Sequence, residues 1–183
     1  EDQMPMRMVG VSQCFRREVG SHGQSDLGIW RVHQFTKIEQ IIIAKPEESW
    51  ALHEELLKNC TDLWDSLGIH YEVVNICTGD MGTVAAKKYD LEAWIPGANQ
   101  YKEIVSCSNC TDYQANRLSI RYGQPGHPNQ PIVHTLNSTA VATSRALVAI
   151  MEQYQLEDGR VSIPEALQPF MGGQTVLEPC NWG

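Results

Sequence analysis

The sequence has no long apolar run, an excess of acidic over basic side chains, and no second pair of closely spaced cysteines. Because a membrane-spanning helix needs about 18 or more consecutive apolar residues, none is predicted. Lys and Arg number 14 against 22 Asp and Glu, and the net charge of -8 argues against a generic basic surface for nucleic acid. The chain begins at Glu1 without an initiator Met or a signal-peptide pattern, so we expect a processed product or an excised fragment.

The cysteines predict neither a disulfide framework nor a complete zinc site. Cys107 and Cys110 are the only Cys-x-x-Cys pair, and no second pair or closely spaced His pair completes four ligands. A small zinc domain around these two residues stays open as an alternative. Free, mostly buried thiols in a reducing compartment are favoured, which fits a cytoplasmic protein.

The hydrophobic patterns predict one α+β domain with an antiparallel sheet. The predicted strands span residues 6–15, 29–44, 69–77, 89–95, 101–107 and 132–136. The predicted helices span residues 46–67, 111–116 and 139–155, with a short helical piece after the turn at 78–82 and a helical turn in the tail. Strands joined by hairpins, with helices beside them, favour this fold class over a parallel α/β arrangement.

The first hairpin carries an unusual set of charges. Five basic side chains stand against two acidic ones between residues 7 and 37. Arg16 lies where the first strand ends, and a guanidinium there can bind a phosphate through two hydrogen bonds. If the strand continues, Glu18 lies on the same face as Arg16. Its carboxylate could then accept a hydrogen bond from an amino group of a nucleotide base. Taken alone, the two residues are more typical of a surface ion pair, which contributes little stability.

The second strand changes that interpretation. Alternation places His33, Phe35, Lys37 and Glu39 on one face, which is not the face of an ordinary core strand. Phe35 beside charged groups, and opposite Arg16, has the properties of a stacking platform for adenine. Glu39 is deeper in the sheet, where a carboxylate needs a cationic partner such as a substrate ammonium group.

Two further segments carry polar groups that could complete a site. Glu103 and Ser106 are hard oxygen ligands near the end of one strand and suit Mg²⁺ on a nucleotide, although such residues on a strand are often only solvated. Residues 137–139 form a polar cluster predicted to cap the long helix. Arg145 stands on that helix among small and aliphatic residues, and a solvent-facing position is its alternative.

Three segments in order resemble the class II aminoacyl-tRNA synthetases, and among them the seryl-tRNA synthetases of the eukaryotic cytosolic kind. Residues 14–23 and 31–40 match motif 2, which extends over about residues 7–44. Residues 103–114 look like the seryl-specific metal and ATP segment, and about residues 132–155 look like motif 3. The resemblance runs through nearly the whole chain. It implies the C-terminal part of a class II catalytic domain, an antiparallel β-sheet flanked by helices.

The resemblance also implies roles for individual residues. Arg16 would bind the α-phosphate of ATP and stabilise the transition state, and Arg145 would hold the γ-phosphate, which makes these two the catalytic residues. The other implied ATP contacts are Glu18 to the adenine amino group, the backbone of Val32 to the base, Phe35 stacked on the ring, and Glu103 and Ser106 through the metal. Glu103 and Ser106 would ligate Mg²⁺. Serine would be bound by Glu39 at its ammonium group, with Asn137 and Thr139 near its side chain.

The implied reaction is ATP-dependent formation of seryl-adenylate, followed by transfer of serine to the 3′ end of tRNA(Ser), and of tRNA(Sec) where it exists. A full-length enzyme of this kind would be a cytoplasmic homodimer. The N-terminal coiled-coil arm, motif 1 and the Thr-x-Glu loop of the serine pocket are absent from the sequence. We therefore expect a piece of a larger enzyme with reduced or no activity. A synthetase-derived interaction module with an unused site is the alternative.

Overall fold

A six-stranded antiparallel sheet organises the part of the chain that the structure describes. The structure is a computed structural model, and it describes residues 3–18, 28–124 and 126–180. The strands of this sheet are β1 (Met6–Phe15), β2 (Gln34–Ala44), β3 (Tyr71–Asn75), β4 (Lys87–Ile95), β5 (Gln100–Asn109) and β6 (His134–Ala142). Across the sheet they lie in the order β1-β2-β6-β5-β4-β3, and every neighbouring pair is antiparallel. The predicted α+β class is confirmed.

Three α-helices accompany the sheet in the described ranges. They are α1 (Ser49–Ser66), α2 (Tyr113–Leu118) and α3 (Thr143–Gln153). A single 3-10 turn at Pro46–Glu48 leads into α1, because proline and two acids suit a first helical turn better than its continuation. None of these helices, nor any other in the described residues, is long and apolar enough to cross a membrane.

One face of α1 forms the main contact with the sheet. Leu52, Leu56, Cys60 and Trp64 recur at helical spacing and are all buried. They pack on apolar residues of the central strands, including the fully buried Leu136 of β6. The side of β2 and β6 that faces α1 is called the reverse face below. Burial of the reverse face fixes the register in which β2 and β6 pair. It thereby decides which residues of these strands point to the face opposite α1.

The second strand begins later than the sequence predicts. The expectation was a strand over residues 29–44, but β2 starts at Gln34 and is preceded by a 3-10 turn at Gly28–Trp30. Gly28 has a φ of 79°, a conformation that favours glycine, and Trp30 is buried at 9% exposure. This segment therefore forms a turn with a buried ring instead of the first residues of the strand. The polar loop predicted between the two strands lies mostly at residues 19–27, outside the described residues.

The predicted boundary between the last long strand and helix is wrong. β6 runs on to Ala142 instead of ending at residue 136, and α3 begins at Thr143 instead of residue 139. Residues 137–139 therefore do not cap a helix. The N-cap is Ala142, and its side chain makes no capping hydrogen bond. The physical reason is pairing: this segment is hydrogen-bonded between β2 and β5, which satisfies its backbone as strand.

Three smaller predictions also differ. Residues 76–86 form turns, without the short helical piece expected after residue 82. The tail contains the expected helical turn as a 3-10 helix at Glu165–Met171, together with an unpredicted two-stranded ladder of β7 (Val161–Ser162) and β8 (Val176–Leu177). All six cysteines are free, but only Cys60, Cys107 and Cys110 are buried, so the thiols are not mostly buried.

Candidate active site

A polar cavity of about 420 Å³ opens on the face of the sheet opposite α1. Its walls come from the end of β1, from β2, β5 and β6, and from the first turns of α3. The lining residues are Arg16, Glu18, Trp30, Arg31, Val32, Phe35, Lys37, Glu39, Glu103, Ile104, Ser106, Asn137, Thr139, Ala142, Ser144 and Arg145. Every residue predicted to contact ATP, serine or metal is in this set. The structure brings them together from four separate stretches of sequence, and their individual roles remain predictions.

Arg16 and Phe35 form one wall. The Arg16 amide donates to the His33 carbonyl at 2.9 Å, which continues the β1–β2 pairing one step beyond the strand. The guanidinium carbon of Arg16 lies 5.7 Å from the centre of the Phe35 ring, within cation–π range. His33, predicted on the same face, is exposed and does not line the cavity. The wall therefore offers a cation and a flat ring side by side.

Glu18 reaches the cavity by a different route from the one predicted. β1 ends at Phe15, so strand alternation cannot direct the side chain. Glu18 instead has a φ of 50°, an uncommon left-handed conformation for a non-glycine residue. Its Oε2 lies 3.2 Å from Nη1 of Arg31. This ion pair is largely enclosed, with 16% and 30% of the side chains exposed, which differs from the surface pair that the sequence alone favoured.

Glu39 is held by three donors. Asn137 Nδ2 donates to Oε1 at 3.0 Å, and Thr139 Oγ1 donates to Oε2 at 3.1 Å. Lys37 Nζ lies 2.8 Å from the same Oε2. A register shift between Ile38 and Glu39 sets this geometry by placing Glu39 opposite Thr139 in the ladder. The carboxylate is therefore fixed at the floor of the cavity, with a cation already close to it.

Arg145 does not face solvent. Its Nη1 donates to the Glu103 carbonyl at 2.7 Å and to Oε1 of Glu103 at 3.0 Å, and only 19% of the side chain is exposed. The guanidinium carbon also lies 5.4 Å from the centre of the Trp30 ring, and Lys102 Nζ lies 5.2 Å from that centre. Trp30 was not predicted as a site residue. The available signal in the sequence was its position directly before Arg31 and Val32. The strand predicted over residues 29–44 instead placed Trp30 within the sheet.

Asp90 is a second residue that the sequence analysis missed. It is buried at 4% exposure and lies opposite Ser106 in the β4–β5 ladder. Burial raises its pKa, and the nearby Glu103 carboxylate raises it further, while Lys88 opposes the shift. Lys88 Nζ lies 3.2 Å from Oδ2, but Oδ1 is buried without a hydrogen-bond partner. An acidic residue inside an otherwise alternating strand was the only sequence signal.

These carboxylates make the residues around Ser106 fit a hard divalent cation. Glu103 and Ser106 present oxygen, the ligand type that Mg²⁺ prefers. Asp90 Oδ1, opposite Ser106 in the ladder, is a further buried carboxylate oxygen without a hydrogen-bond partner. No group of three or more His, Cys, Asp or Glu side chains in the described ranges could hold a metal by itself. A cation here would therefore share its coordination with a nucleotide and water.

The two closely spaced cysteines face different partners. Cys107 Sγ lies 3.9 Å from the His53 carbonyl on α1, and Cys110 Sγ lies 3.6 Å from Oδ1 of Asn137. Burial raises the pKa of Cys107 to about 12 and also raises that of Cys110. The two thiols face separate partners rather than each other, which is not the arrangement of a preformed zinc site.

Solved structures share this fold closely. The seryl-tRNA synthetase of Pyrococcus horikoshii, solved with ATP, superimposes with a TM-score of 0.93 at 53% identity, over 98% of this chain and 40% of that one. The cytoplasmic serine–tRNA ligase of Naegleria fowleri, solved with AMP, also gives 0.93, at 49% identity over 99% of this chain and 43% of that one. Both matches are far above the level needed to assign the fold.

Curated relatives agree. The serine–tRNA ligase of Methanocorpusculum labreanum is 60% identical over 97% of this chain and 42% of its own length. That of Archaeoglobus fulgidus is 57% identical over 93% of this chain and 38% of its own length. The chain thus spans about two-fifths of the length of these relatives. Both are archaeal, and the eukaryotic subtype stays a prediction.

A family model described as the tRNA synthetase class II core domain (G, H, P, S and T) matches residues 1–154. This match covers most of the chain and includes all four stretches that line the cavity. The six-stranded antiparallel sheet and the class II resemblance are confirmed together. The chain belongs to the class II tRNA synthetase core-domain family.

Proposed function

We propose that this chain is part of the catalytic domain of an ATP-dependent serine–tRNA ligase. The carboxylate of serine attacks the α-phosphate of ATP, which forms seryl-adenylate and releases pyrophosphate. Serine is then transferred to the 3′ end of tRNA(Ser), and of tRNA(Sec) where it exists, and AMP is released. The observation that carries the proposal is the cavity itself. Phosphate-binding cations, a stacking ring and a fixed carboxylate converge there from four stretches of sequence, and the relatives at 57–60% identity are named serine–tRNA ligases.

ATP lies along the wall formed by Arg16, Phe35 and Arg145. Phe35 stacks on the adenine, Glu18 accepts from the adenine amino group, and the Val32 backbone meets the base. Arg16 binds the α-phosphate, where negative charge grows as the carboxylate of serine attacks, so its contribution is to the transition state. Arg145 binds the γ-phosphate. Both of its hydrogen bonds to Glu103 use Nη1, so its other donors can meet a phosphate without breaking them.

Serine lies against Glu39, Asn137 and Thr139. Glu39 holds the ammonium group, and its bonds to Asn137 and Thr139 fix the carboxylate before the substrate arrives. Asn137 and Thr139 lie near the serine side chain. Alanine lacks the hydroxyl group of serine and would leave polar groups of the site without a hydrogen-bond partner, so the site disfavours alanine. Lys37 Nζ lies 2.8 Å from Oε2 of Glu39 and supplies a cationic partner for the carboxylate when the cavity is empty.

Mg²⁺ is held by Glu103 and Ser106. When bound, the ion neutralises charge on the phosphate oxygens. The residues of the chain do the rest: Glu103 orients Arg145 through its carbonyl and its carboxylate, and Asp90 supports the Ser106 strand from β4. The complete enzyme is a cytoplasmic homodimer with no membrane partner.

The test is serine-dependent exchange of pyrophosphate into ATP by the complete natural protein. We expect exchange that requires serine, is not supported by alanine, and is lost in Arg16→Ala. Exchange at the same rate with and without serine would contradict the proposed specificity for serine. Exchange unchanged by Arg16→Ala would remove Arg16 from the mechanism, and absence of serine-dependent exchange in the unaltered protein would support an interaction module whose cavity is unused.

A further inference from the structure

A buried thiol lies directly behind the proposed serine site. On β6, Asn137 and Thr139 face the cavity, while Ser138 between them points to the reverse face and is fully buried. On β2, Glu39 faces the cavity and the next residue, Gln40, points back at 9% exposure. Gln40 and Ser138 are paired across the ladder. Behind this pair stands Cys60 of α1, which has no exposed surface.

Cys60 contacts both strands at once. Gln40 Nε2 donates to Cys60 Sγ at 3.2 Å, and Ser138 Oγ lies 3.2 Å from the same sulfur. Cys60 Sγ donates in turn to the Thr139 carbonyl at 3.3 Å. Asn59, the neighbouring residue of α1, donates from Nδ2 to Oε1 of Gln40 at 2.9 Å. One turn of helix thus ties together the residues that directly adjoin Glu39 and Thr139.

The chemistry of the group suits this position. Burial raises the pKa of Cys60, so it keeps the proton that it donates to Thr139. Its sulfur accepts from Gln40 and contacts Ser138, which leaves these buried polar groups partnered. The register shift of the β2–β6 ladder falls between Ile38 and Glu39, immediately before Gln40, where Ala140 is the extra residue of β6. A shift of this kind re-aims a side chain, and it needs support where the regular ladder is interrupted.

We propose that Cys60 is a positioning residue for the serine site: through Gln40, Ser138 and the Thr139 carbonyl it holds the Glu39–Thr139 pair in its binding geometry. Cys60 touches no substrate. It acts on the floor of the cavity at Glu39, in the middle of β2, whereas Phe35 lies near the start of β2 and Arg16 lies just beyond the end of β1, so loss of Cys60 affects serine binding selectively. This inference rests on the proposed function.

The experiment compares Cys60→Ala and Cys60→Ser with the unaltered complete protein by steady-state exchange kinetics. Cys60→Ala raises KM for serine about five- to tenfold, the loss expected for one or two buried hydrogen bonds. KM for ATP stays within about twofold, because no contact of the ATP wall is removed. Cys60→Ser restores most of the serine affinity because a hydroxyl can both donate and accept.

Leu52→Ala is the matched control. Leu52 is buried on the same face of α1 but packs in the apolar cluster of Ile42 and Leu136. This control lowers the melting temperature without a selective change in KM for serine. If Cys60→Ala fails to fold, Ser138→Ala removes the contact of Ser138 with Cys60 together with the bond from Ser138 Oγ to the Thr139 carbonyl, and KM for serine again rises selectively. Amide hydrogen exchange of residues 137–142 is faster in Cys60→Ala than in Cys60→Ser.

Two results would overturn the inference by separate routes. An unchanged KM for serine in Cys60→Ala, or equal rises for serine and ATP that Leu52→Ala reproduces, reduces Cys60 to a packing residue while the ligase activity stands. Absence of serine-dependent exchange in the unaltered protein overturns the proposed function first, and this inference with it.

Discussion

The two faces of β2 and β6 differ sharply although they are built from alternate residues of the same strands. The cavity face carries Glu39 and Thr139, which form ion pairs and hydrogen bonds around open space. The reverse face carries Ile42 and Leu136, both at most 2% exposed and packed on α1. Apolar burial thus lies on one side of the sheet and the proposed substrate contacts on the other, with Cys60 proposed as the link between the two sides. Substitutions one residue apart should therefore change different measured properties.

The largest expected effect is on the cavity side. Arg16→Ala should lower the exchange rate by about 100-fold or more, as for loss of a donor to a developing negative charge. Unfolding free energy should change by less than about 0.5 kcal/mol, because Arg16 is exposed and belongs to no apolar cluster. Arg7→Ala is the control: it removes an exposed arginine of β1, the strand that ends just before Arg16, and because Arg7 is paired with Glu55 outside the cavity the rate should stay unchanged. Equal losses in the two variants would remove Arg16 from the mechanism.

The next effect is on stability instead of activity, and it comes from α1, which packs on the reverse face. Leu56 is 1% exposed, and Leu56→Ala should lower the free energy of unfolding by about 2–5 kcal/mol through lost burial and a cavity. KM values measured below the melting transition should stay close to those of the unaltered protein. Urea unfolding provides the measurement, with Leu147→Ala as the exposed control on α3, expected within about 0.5 kcal/mol. A large change in KM without loss of stability would contradict the division between the faces.

Glu39→Gln tests the floor of the cavity at nearly constant volume. It removes the charge that the serine ammonium group requires, and KM for serine should rise about tenfold or more. KM for ATP should change little, because Phe35 and Arg16 are untouched. Glu47→Gln, an exposed carboxylate before α1, is the matched control. A rise in KM for ATP alone would mean that Glu39 serves the nucleotide.

The smallest effect is a pH dependence from the reverse face. His53 is fully buried, stacks on Tyr89, and has an Nδ1 without a hydrogen-bond partner. Burial lowers its pKa, so the unfolded chain binds more protons than the folded one below the unfolded pKa of about 6.5. Stability from this group is therefore present above that pH, and it is lost as the pH falls toward the folded pKa.

The expected slope is at most about 1.4 kcal/mol per pH unit between about pH 6.5 and the folded pKa. His53→Gln should flatten this part of the curve in urea unfolding. It should not remove it completely, because burial also lowers the pKa of His134. An unchanged slope in His53→Gln would assign the whole dependence to other groups.

Sequence alternation was sufficient to predict the cavity face of β2, because Phe35, Lys37 and Glu39 follow the period of a strand. It failed at Glu18 and Trp30, where backbone turns rather than alternation direct the side chains. It failed again at residues 137–142, whose polar start is typical of a helix cap. Pairing with β2 along this segment, and with β5 at Asn137 and Ser138, made it a strand, and pairing with strands distant in the sequence cannot be predicted from the local pattern. Asp90 was missed for the same reason, since its meaning depends on Ser106 across the ladder.

The central claim is that serine and ATP share this one cavity, and thermal unfolding of the complete protein tests it most directly. Because ligands that bind the folded state raise its stability by mass action, each substrate alone should raise the melting temperature modestly. Serine and ATP together should raise it by more than the sum of the two separate shifts, and Arg16→Ala should abolish the excess. Shifts that simply add, or no shift with serine at any concentration, would contradict the account.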